Sequence, residues 1–195
     1  MNKLMGFYEL KEMNLPSIPW NEYTGNEDLA ENQLWTVRSA VFKGDDLNLP
    51  RMVGEPGRIA KKFADELLKK LHHNGIVIYY PYFVANKSGT LNIFRTEVVI
   101  EAVKKDLWNL VTYSDREVTI RIIDDEMFIS GNEEFLTQAE QKQILKYVPQ
   151  IRSLFRDYLN EGKSVLLEWS FAQNSNINKE SIGEEYLVFY EIRTV

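Results

Sequence analysis

The sequence predicts an α+β protein, with a small N-terminal lobe followed by a lobe built mainly on an antiparallel sheet. One clear amphipathic helix, Arg58 to His72, lies in the first half of the chain. Several short runs of β-branched and aromatic residues follow it, separated by turn residues. A second helical stretch then precedes two final apolar runs. Strands and helices are thus grouped rather than strictly alternating, which is typical of the α+β class.

Length and composition narrow the range of functions. A chain of 195 residues suffices for one domain, and we expect a single domain of two lobes around a shared cleft, divided at about 1–75 and 76–195. The contents of 44% hydrophobic and 27% charged residues are those of a soluble globular protein. The absence of cysteine excludes disulfides and fits a reducing cytoplasm, so we expect a cytoplasmic protein. A net charge of −6, scattered basic residues and no long apolar run predict neither a nucleic-acid nor a membrane partner.

The first lobe begins with a predicted short helix and an extended segment. Apolar residues recur at helical spacing from Lys3 to Met13, and two prolines then forbid a helix over Leu15–Trp20. Leu34–Val41 predicts a strand that carries Arg38. Glycines and prolines predict a long irregular loop over Lys43–Gly57, which leads into the amphipathic helix.

The second lobe is predicted to be a sheet with one helical insertion. The helical stretch opens with Thr137-Gln138-Ala139-Glu140, which has the residues of a capping box, and runs to Tyr158 as one helix or as a pair split at Pro149. We expect turns at 86–89 and 124–125 and a loop at 173–183. The predicted strands are 76–80, 90–94, 98–103, 107–113, 117–123 and 127–129.

The two final runs, Val165–Ser170 and Glu185–Arg193, each contain a glutamate where burial should exclude one. These are Glu168 and Glu191. A buried carboxylate is usually paired or bound to a metal. Arg193 is two residues beyond Glu191, which places both on one strand face. The pattern indicates either a site for a divalent cation and a phosphorylated ligand, or a polar outer face on which Arg193 bridges two surface glutamates.

The order of several short motifs carries a resemblance to a known family. Lys3 lies twelve residues before Leu15-Pro16, and Val37-Arg38-Ser39-Ala40 is similar to Val-Arg-Ser-Ser. Asp45-Asp46-Leu47 follows, and Ile76–Gly89 looks like a strand, a hinge and a Ser-Gly turn. Leu167–Ser170 and Tyr190–Val195 are similar to Ile-Glu-Trp-Ala and Gln-x-Arg-Pro-Val. Together these segments resemble the nucleotide-binding domain of phosphoenolpyruvate synthase, pyruvate phosphate dikinase and rifampicin phosphotransferase, a version of the ATP-grasp fold.

The resemblance implies that ATP lies between the two lobes. Lys3 and Arg38 would then contact the triphosphate, the first as a point charge and the second as a guanidinium fork. Tyr79 and Tyr80 would lie beside the adenine at the hinge. Without a ligand, Lys3 would belong to an unstructured terminus, Arg38 would be a surface-strand arginine and Tyr80 would be a core residue.

The resemblance also implies a magnesium site. Glu168 and Glu191 would hold Mg²⁺ against phosphate oxygens, and Arg193 would neutralise charge on the transferred phosphoryl group. The family has glutamine where this chain has Glu191, which keeps an oxygen ligand and adds a negative charge. A third embedded carboxylate, Glu101, is expected instead to pair with Lys104 or Arg121.

The implied function is phosphoryl transfer from Mg-ATP to an acceptor. The resemblance covers neither the family's phosphohistidine domain nor its barrel for pyruvate, so we expect the acceptor to be bound here or on a separate phosphohistidine-type protein. The alternative is a degenerate module that senses nucleotide or binds a protein partner without catalysis. A plain structural domain without a ligand is a third possibility. The partner-binding surface of the second hypothesis would be aromatic and would use Trp20, Trp35, Trp108 and Tyr113.

Overall fold

The computed structural model describes residues 3–43, 49–107, 110 and 116–195, with the backbone alone described at Lys3. Within these ranges the chain forms two antiparallel sheets and five helices, so the predicted α+β class is confirmed. The strands are β1 (Asn21–Tyr23), β2 (Leu34–Val41), β3 (Arg51–Pro56), β4 (Gly75–Pro81), β5 (Phe83–Ile93), β6 (Glu97–Lys104), β7 (Val118–Ile123), β8 (Glu126–Gly131), β9 (Val165–Ser175) and β10 (Ser181–Thr194). The helices are α1 (Lys3–Glu12), α2 (Gly57–Leu71), α3 (Gln138–Leu145), α4 (Val148–Leu154) and α5 (Arg156–Asn160).

The first sheet has four strands in the order β1-β4-β2-β3. The alternation along β2 and β4 sends Val37, Val77 and Tyr79 to one face, where α2 covers them with its small and branched residues. The other face carries Arg38, Ile78 and Tyr80 towards the second sheet. Because β4 belongs to this sheet, the chain passes between sheets at Tyr82 rather than near residue 75.

The second sheet has six strands in the order β10-β9-β5-β6-β7-β8. Its inner face is apolar and packs under α3, α4 and α5 to form the largest core. Trp169 and Phe189 are fully buried there, opposite each other on β9 and β10. Thr137 caps α3 through a complete capping box with Glu140, as predicted.

The outer face of the second sheet is polar along one continuous row. Cross-strand partners in this row include Glu191 and Glu168, then Thr90, Glu101 and Thr119. Partners in an antiparallel pair project to the same side, so these groups share a face. Because α3, α4 and α5 lie on the inner face, this polar row on the outer face contacts either the first sheet or solvent.

Helix α1 joins the two sheets. Gly6 lies directly on the backbone carbonyl of Ile192 in β10, where an added Cβ would collide. Phe7, the next residue, is fully buried in a cluster that includes Ile78 and Tyr80 from the first sheet and Val188 from the second. This cluster, which we call the inter-sheet core, fills part of the space between the sheets.

Several predicted local structures are wrong. The loop predicted over 43–57 contains strand β3, although residues 44–48 lie outside the described residues. The turn predicted at 86–89 is the middle of β5, where a bulge near Asn86 accommodates the polar residues. The 173–183 loop is mostly strand, since β9 and β10 run on to a short turn. Of the strand predicted at 107–113, Leu107 lies in a turn and Leu110 is helical, and the other positions are not described.

Two predicted surface features are also corrected. Glu101 pairs with Arg116, with 2.8 Å between Oε1 and Nε, rather than with Lys104 or Arg121. Trp20 is buried in the inter-sheet core and donates its indole N–H to the Phe7 carbonyl, so it cannot form an exposed aromatic surface. Trp35 is half-buried in the α2 cluster, while Trp108 and Tyr113 lie outside the described residues.

Over the ranges that the structure describes, no helix combines the length and apolar character that crossing a bilayer requires.

Candidate functional site

A buried ion pair links the two sheets. The Arg38 Nη2 atom on β2 lies 3.1 Å from the Glu191 Oε2 atom on β10. Their side chains are 12% and 3% exposed, so both charges have been removed almost completely from water. Removing a charge from water is costly, and the opposite charge of the partner offsets much of that cost. The guanidinium also lies over the ring of Phe7, at 5.3 Å from its centroid, which holds it from the α1 side.

A bulge in β10 determines which face Glu191 occupies. The register shifts between Phe189 and Glu191, so Tyr190 is an extra residue in the ladder. Without it, Phe189 and Glu191 would share a face, because strand residues two apart project to the same side. With it, Phe189 stays in the core and Glu191 lies opposite Glu168 on the outer face. The two carboxylates are therefore neighbours, with Cβ atoms about 5 Å apart.

The electrostatics of the cluster keep Arg38 charged. Burial alone would lower the pKa of Arg38, but Tyr80, Glu191 and Glu168 outweigh it and raise the pKa above its ordinary value. Tyr80 is buried beside it and accepts a hydrogen bond from the guanidinium. Burial raises the pKa of Tyr80, which therefore stays a neutral phenol.

A second neutral phenol borders Glu168. Burial and the Glu168 charge raise the pKa of Tyr190 well above its ordinary value. Its hydroxyl bonds to Ser170, and Ser170 Oγ lies 2.8 Å from Ser88 Oγ. Ser88 in turn donates to the Lys105 carbonyl. This chain of hydroxyl groups fixes the outer face next to the carboxylates.

Arg193 lies on the same strand face as Glu191, as predicted, and opposite Leu166. The side chain is half-buried. Its Nε is buried without a hydrogen-bond partner among the described residues, and so is the Oδ1 of Asn92, which also faces Leu166 from the far side. Buried polar atoms in folded proteins nearly always have partners. The outer face therefore holds one buried donor and one buried acceptor without a hydrogen-bond partner in the described part of the chain.

The structure brings together five of the seven predicted site residues. Arg38 and Tyr80 come from the first sheet, and Glu168, Glu191 and Arg193 from the second. Tyr79 lies on the opposite face of the first sheet, edge-on to Trp35 with ring centroids 5.7 Å apart. Lys3 begins α1, and its side chain is outside the described residues.

Sequence reasoning missed the residues that hold the cluster in place. Phe7 covers the Arg38 guanidinium, Tyr190 is the extra residue of the β10 bulge, and Ser170 forms a hydrogen bond with the Tyr190 hydroxyl. Phe7 and Arg38 are 31 residues apart along the chain, and Arg38 and Glu191 are 153 residues apart. Local periodicity therefore cannot predict either contact. The Leu-Val-Phe-Tyr-Glu run itself gives no sign of a bulge.

The carboxylate pair fits one kind of metal site. No group of three or more acidic, histidine or cysteine side chains among the described residues is arranged to hold a metal by itself. Mg²⁺, however, is commonly held by one or two carboxylates, with phosphate oxygens and water in the remaining positions. Glu168 and Glu191 match that requirement only together with a phosphate ligand.

Comparison with known proteins adds little to this picture. No protein-family model matches the sequence, and no curated protein matches it. A solved structure that is similar is the crystal structure of macrocyclase MdnC bound with precursor peptide MdnA from Microcystis aeruginosa MRC, at 11% identity and a TM-score of 0.45. The match covers 97% of this chain and 51% of that one, so the chain spans about half the length of this neighbour. A likeness at this level does not establish a shared fold or activity.

Proposed function

We propose that the chain binds Mg-ATP between its two sheets, at the cluster formed by Arg38, Glu168, Glu191 and Arg193. The supporting observation is the convergence itself. Arg38 of the first sheet converges with Glu168 and Glu191 of the second, and Arg193 lies two residues beyond Glu191 on the same outer face. The fold would then be the two-lobed, ATP-grasp-like arrangement that the motif order implies.

Each group has a chemical role in this proposal. Arg38 presents a charged fork to phosphate oxygens, and its burial strengthens that interaction because little water screens it. Glu168 and Glu191 supply the hard oxygen atoms that Mg²⁺ prefers. Arg193, with a buried Nε that has no partner in the described part of the chain, offers a donor to the terminal phosphate.

Phosphoryl transfer is the reaction that fits these parts. Catalysis of that reaction consists mostly of positioning and charge neutralisation, which a guanidinium and a metal-binding carboxylate pair provide. We propose an activity related to that of phosphoenolpyruvate synthase, directed to an acceptor on this chain or on a separate phosphohistidine-type protein.

One observation favours the non-catalytic alternative. The inter-sheet core, with Trp20, Ile78, Ala172 and Val188, occupies part of the space between the sheets. Arg38 is already paired there with a carboxylate. A module of this kind would bind nucleotide, or a partner protein, without turning substrate over.

Thermal unfolding with ATP and Mg²⁺ tests the shared part of both proposals. A ligand at about 100 times its Kd stabilises the folded state by about 2.7 kcal/mol, which raises the Tm by several degrees. We expect this shift in the wild-type protein and its loss in Glu168→Ala and Arg193→Ala. The matched control is Glu97→Ala, which removes a half-buried carboxylate paired with Arg121 at the far end of the sheet.

The outcomes separate the hypotheses. No shift at saturating Mg-ATP would refute nucleotide binding. A shift accompanied by ATP hydrolysis that depends on Glu168 supports the enzyme, whereas a shift without turnover supports the sensing module.

A further inference from the structure

Strand β8 is an edge of the second sheet that the described part of the chain leaves uncovered. It pairs with β7 in a continuous register, and within the described residues no backbone hydrogen bond joins it to any other element. The opposite edge, β10, is covered, because Phe189 donates its N–H to the Pro16 carbonyl and accepts a hydrogen bond from the Ile18 N–H. An uncovered edge presents a row of unpaired N–H and C=O groups, to which another extended chain can add a strand.

Strand β8 also lacks the features with which edge strands usually avoid pairing. Its six residues include no lysine, no proline and no bulge, and its one charged residue is the first, Glu126. Met127 and Phe128 are 47% and 52% exposed. Because successive strand residues alternate, they lie on opposite faces, Met127 beside Ile122 and Phe128 beside Arg121. An added strand would therefore cover one exposed apolar side chain on each face of the sheet.

Exposed carboxylates lie at both ends of this edge. Those at the turn end and the first strand position are Asp124, Asp125 and Glu126, and those just beyond the last strand residue are Glu133 and Glu134. None of the five forms an ion pair with another described residue. The one basic residue of β7, Arg121, is paired with Glu97. A strand with basic groups at both of its ends would thus find a complementary charge at each end of β8.

The same charges oppose a second copy of β8 as the partner. In the antiparallel register that faces Phe128 with Ile129, Asp124 of each copy reaches the end at which Glu133 of the other lies. A parallel pair would bring each carboxylate next to its own counterpart. Like charges directly opposite one another destabilise a strand pair, and a net charge of −6 on each chain adds to the repulsion.

We propose that β8 is a docking edge for an extended peptide segment that is apolar at its centre and carries lysine or arginine at both ends. The segment adds a strand to the sheet, with three consecutive apolar residues opposite Met127, Phe128 and Ile129. At about 3.3 Å per residue the six residues of β8 span about 20 Å, so the two basic ends lie about six to eight residues apart. Strands β8 and β10 are opposite edges of the sheet, so this proposal is independent of nucleotide binding.

A synthetic peptide tests the proposal: Lys-Lys-Thr-Val-Tyr-Val-Thr-Lys-Lys with both ends blocked, which reads the same in either strand direction. We expect saturable binding to the full chain in fluorescence anisotropy, together with slower hydrogen–deuterium exchange in β8. Raising the ionic strength from about 0.05 M to about 0.5 M should weaken the Kd by about fivefold or more, because exposed charges are then screened. The same peptide with glutamate in place of every lysine should not bind.

Two protein variants separate the apolar and the charged contributions. Phe128→Thr keeps a strand-forming residue but removes the apolar contact, so we expect the Kd to weaken by about fivefold. Asp125→Asn combined with Glu133→Gln removes one charge at each end, and asparagine tolerates the left-handed backbone of Asp125. This double variant should bind more weakly and with a smaller dependence on salt.

Each variant has a matched control away from β8. Ile182→Thr removes an apolar side chain that is 47% exposed on β10. Glu31→Gln combined with Glu66→Gln removes two exposed carboxylates that precede the second sheet in the chain, which gives the same change in net charge. Both controls should keep the wild-type Kd and its salt dependence.

Several results would overturn the proposal. These are no binding at about 1 mM peptide, equal binding of the glutamate peptide, binding without protection of β8, or an unchanged Kd in both β8 variants. A dimer in sedimentation experiments that Phe128→Thr dissociates would assign the edge to a second copy instead. All the substituted positions are exposed, so we expect every variant to fold, which far-UV circular dichroism checks.

Discussion

At the scale of single residues, the burial of charged side chains between the two sheets lowers the free energy of unfolding. Arg38 and Glu191 are each nearly inaccessible to water and depend on one another for neutralisation. A buried pair of this kind seldom stabilises a fold more than apolar residues of the same size would. The proposed ligand site would give this pair a role that folding alone does not require.

The Arg38–Glu191 pair predicts a strongly non-additive mutant cycle. Arg38→Met removes the guanidinium from the buried Glu191 carboxylate, so we expect a loss of about 3–5 kcal/mol in the free energy of unfolding. Adding Glu191→Leu should recover much of that loss, because the buried ion pair is then removed as a unit. Urea unfolding of the four proteins measures the coupling. Additive losses would show that the two side chains do not depend on each other.

Glu140 predicts an acid-sensitive contribution to stability. Burial alone would raise the pKa of Glu140, but hydrogen bonds from Lys87 and Thr137 outweigh it and lower the pKa below its ordinary value of 4.5. Because the folded state binds this proton less readily, the stabilisation is present above pH 4.5 and is lost as the pH falls through the lowered pKa. We expect Tm to fall with pH less steeply in Glu140→Gln than in the wild type below about pH 5. Parallel curves would contradict this assignment.

At the scale of elements, α1 and the β10 bulge position the site. The bulge turns Glu191 to the outer face, and α1 then covers Arg38 with Phe7. Helix α1 can approach β10 this closely because Gly6 has no side chain where the Ile192 carbonyl lies. The spacing between helix and strand therefore depends on one glycine.

Gly6→Ala tests this close contact. Although alanine favours helix formation, its Cβ would collide with backbone rather than with a flexible side chain, so α1 must shift. We expect a loss of about 1–3 kcal/mol in the free energy of unfolding. Glu12→Ala, at an exposed position of the same helix, should change stability by less than about 0.5 kcal/mol. A neutral or stabilising Gly6→Ala would mean that α1 does not pack on β10 as described.

At the scale of the whole molecule, the two sheets share a core. The inter-sheet core takes residues from α1, from the first sheet and from the outer face of β9 and β10. Such continuous packing couples the stability of the two sheets. Thr90 and Glu101, which continue the polar row beyond Glu168, are partly exposed.

This shared core predicts one cooperative unfolding transition. Trp20 reports on the inter-sheet core, and Trp169 on the core beneath α3–α5. We expect single-tryptophan variants retaining either one to unfold with the same urea midpoint, and this midpoint to match that of far-UV circular dichroism. Two separated midpoints would show that the sheets unfold independently.

The sequence by itself determined the class of the protein and most of its elements. Helix α2, strand β2, the Thr137 cap and the two acidic strands follow from periodicity and capping, which are local properties of the chain. Local patterns failed where polar or glycine-containing segments continue as strand, in β3, in the middle of β5 and beyond Ser170 in β9. There the pairing with neighbouring strands outweighs the turn propensity of the residues.

Only the tertiary structure decided how the site is built. Strand register and sheet packing determine three features of the site. They pair Arg38 with Glu191 across 153 residues, turn Glu191 to the outer face through the bulge at Tyr190, and place Tyr79 and Tyr80 on opposite faces of the first sheet. A one-residue change of register moves a side chain to the other face of a sheet, and no composition or spacing rule specifies a bulge. The residue types for the site are therefore visible in the sequence, whereas their convergence is a property of the folded chain.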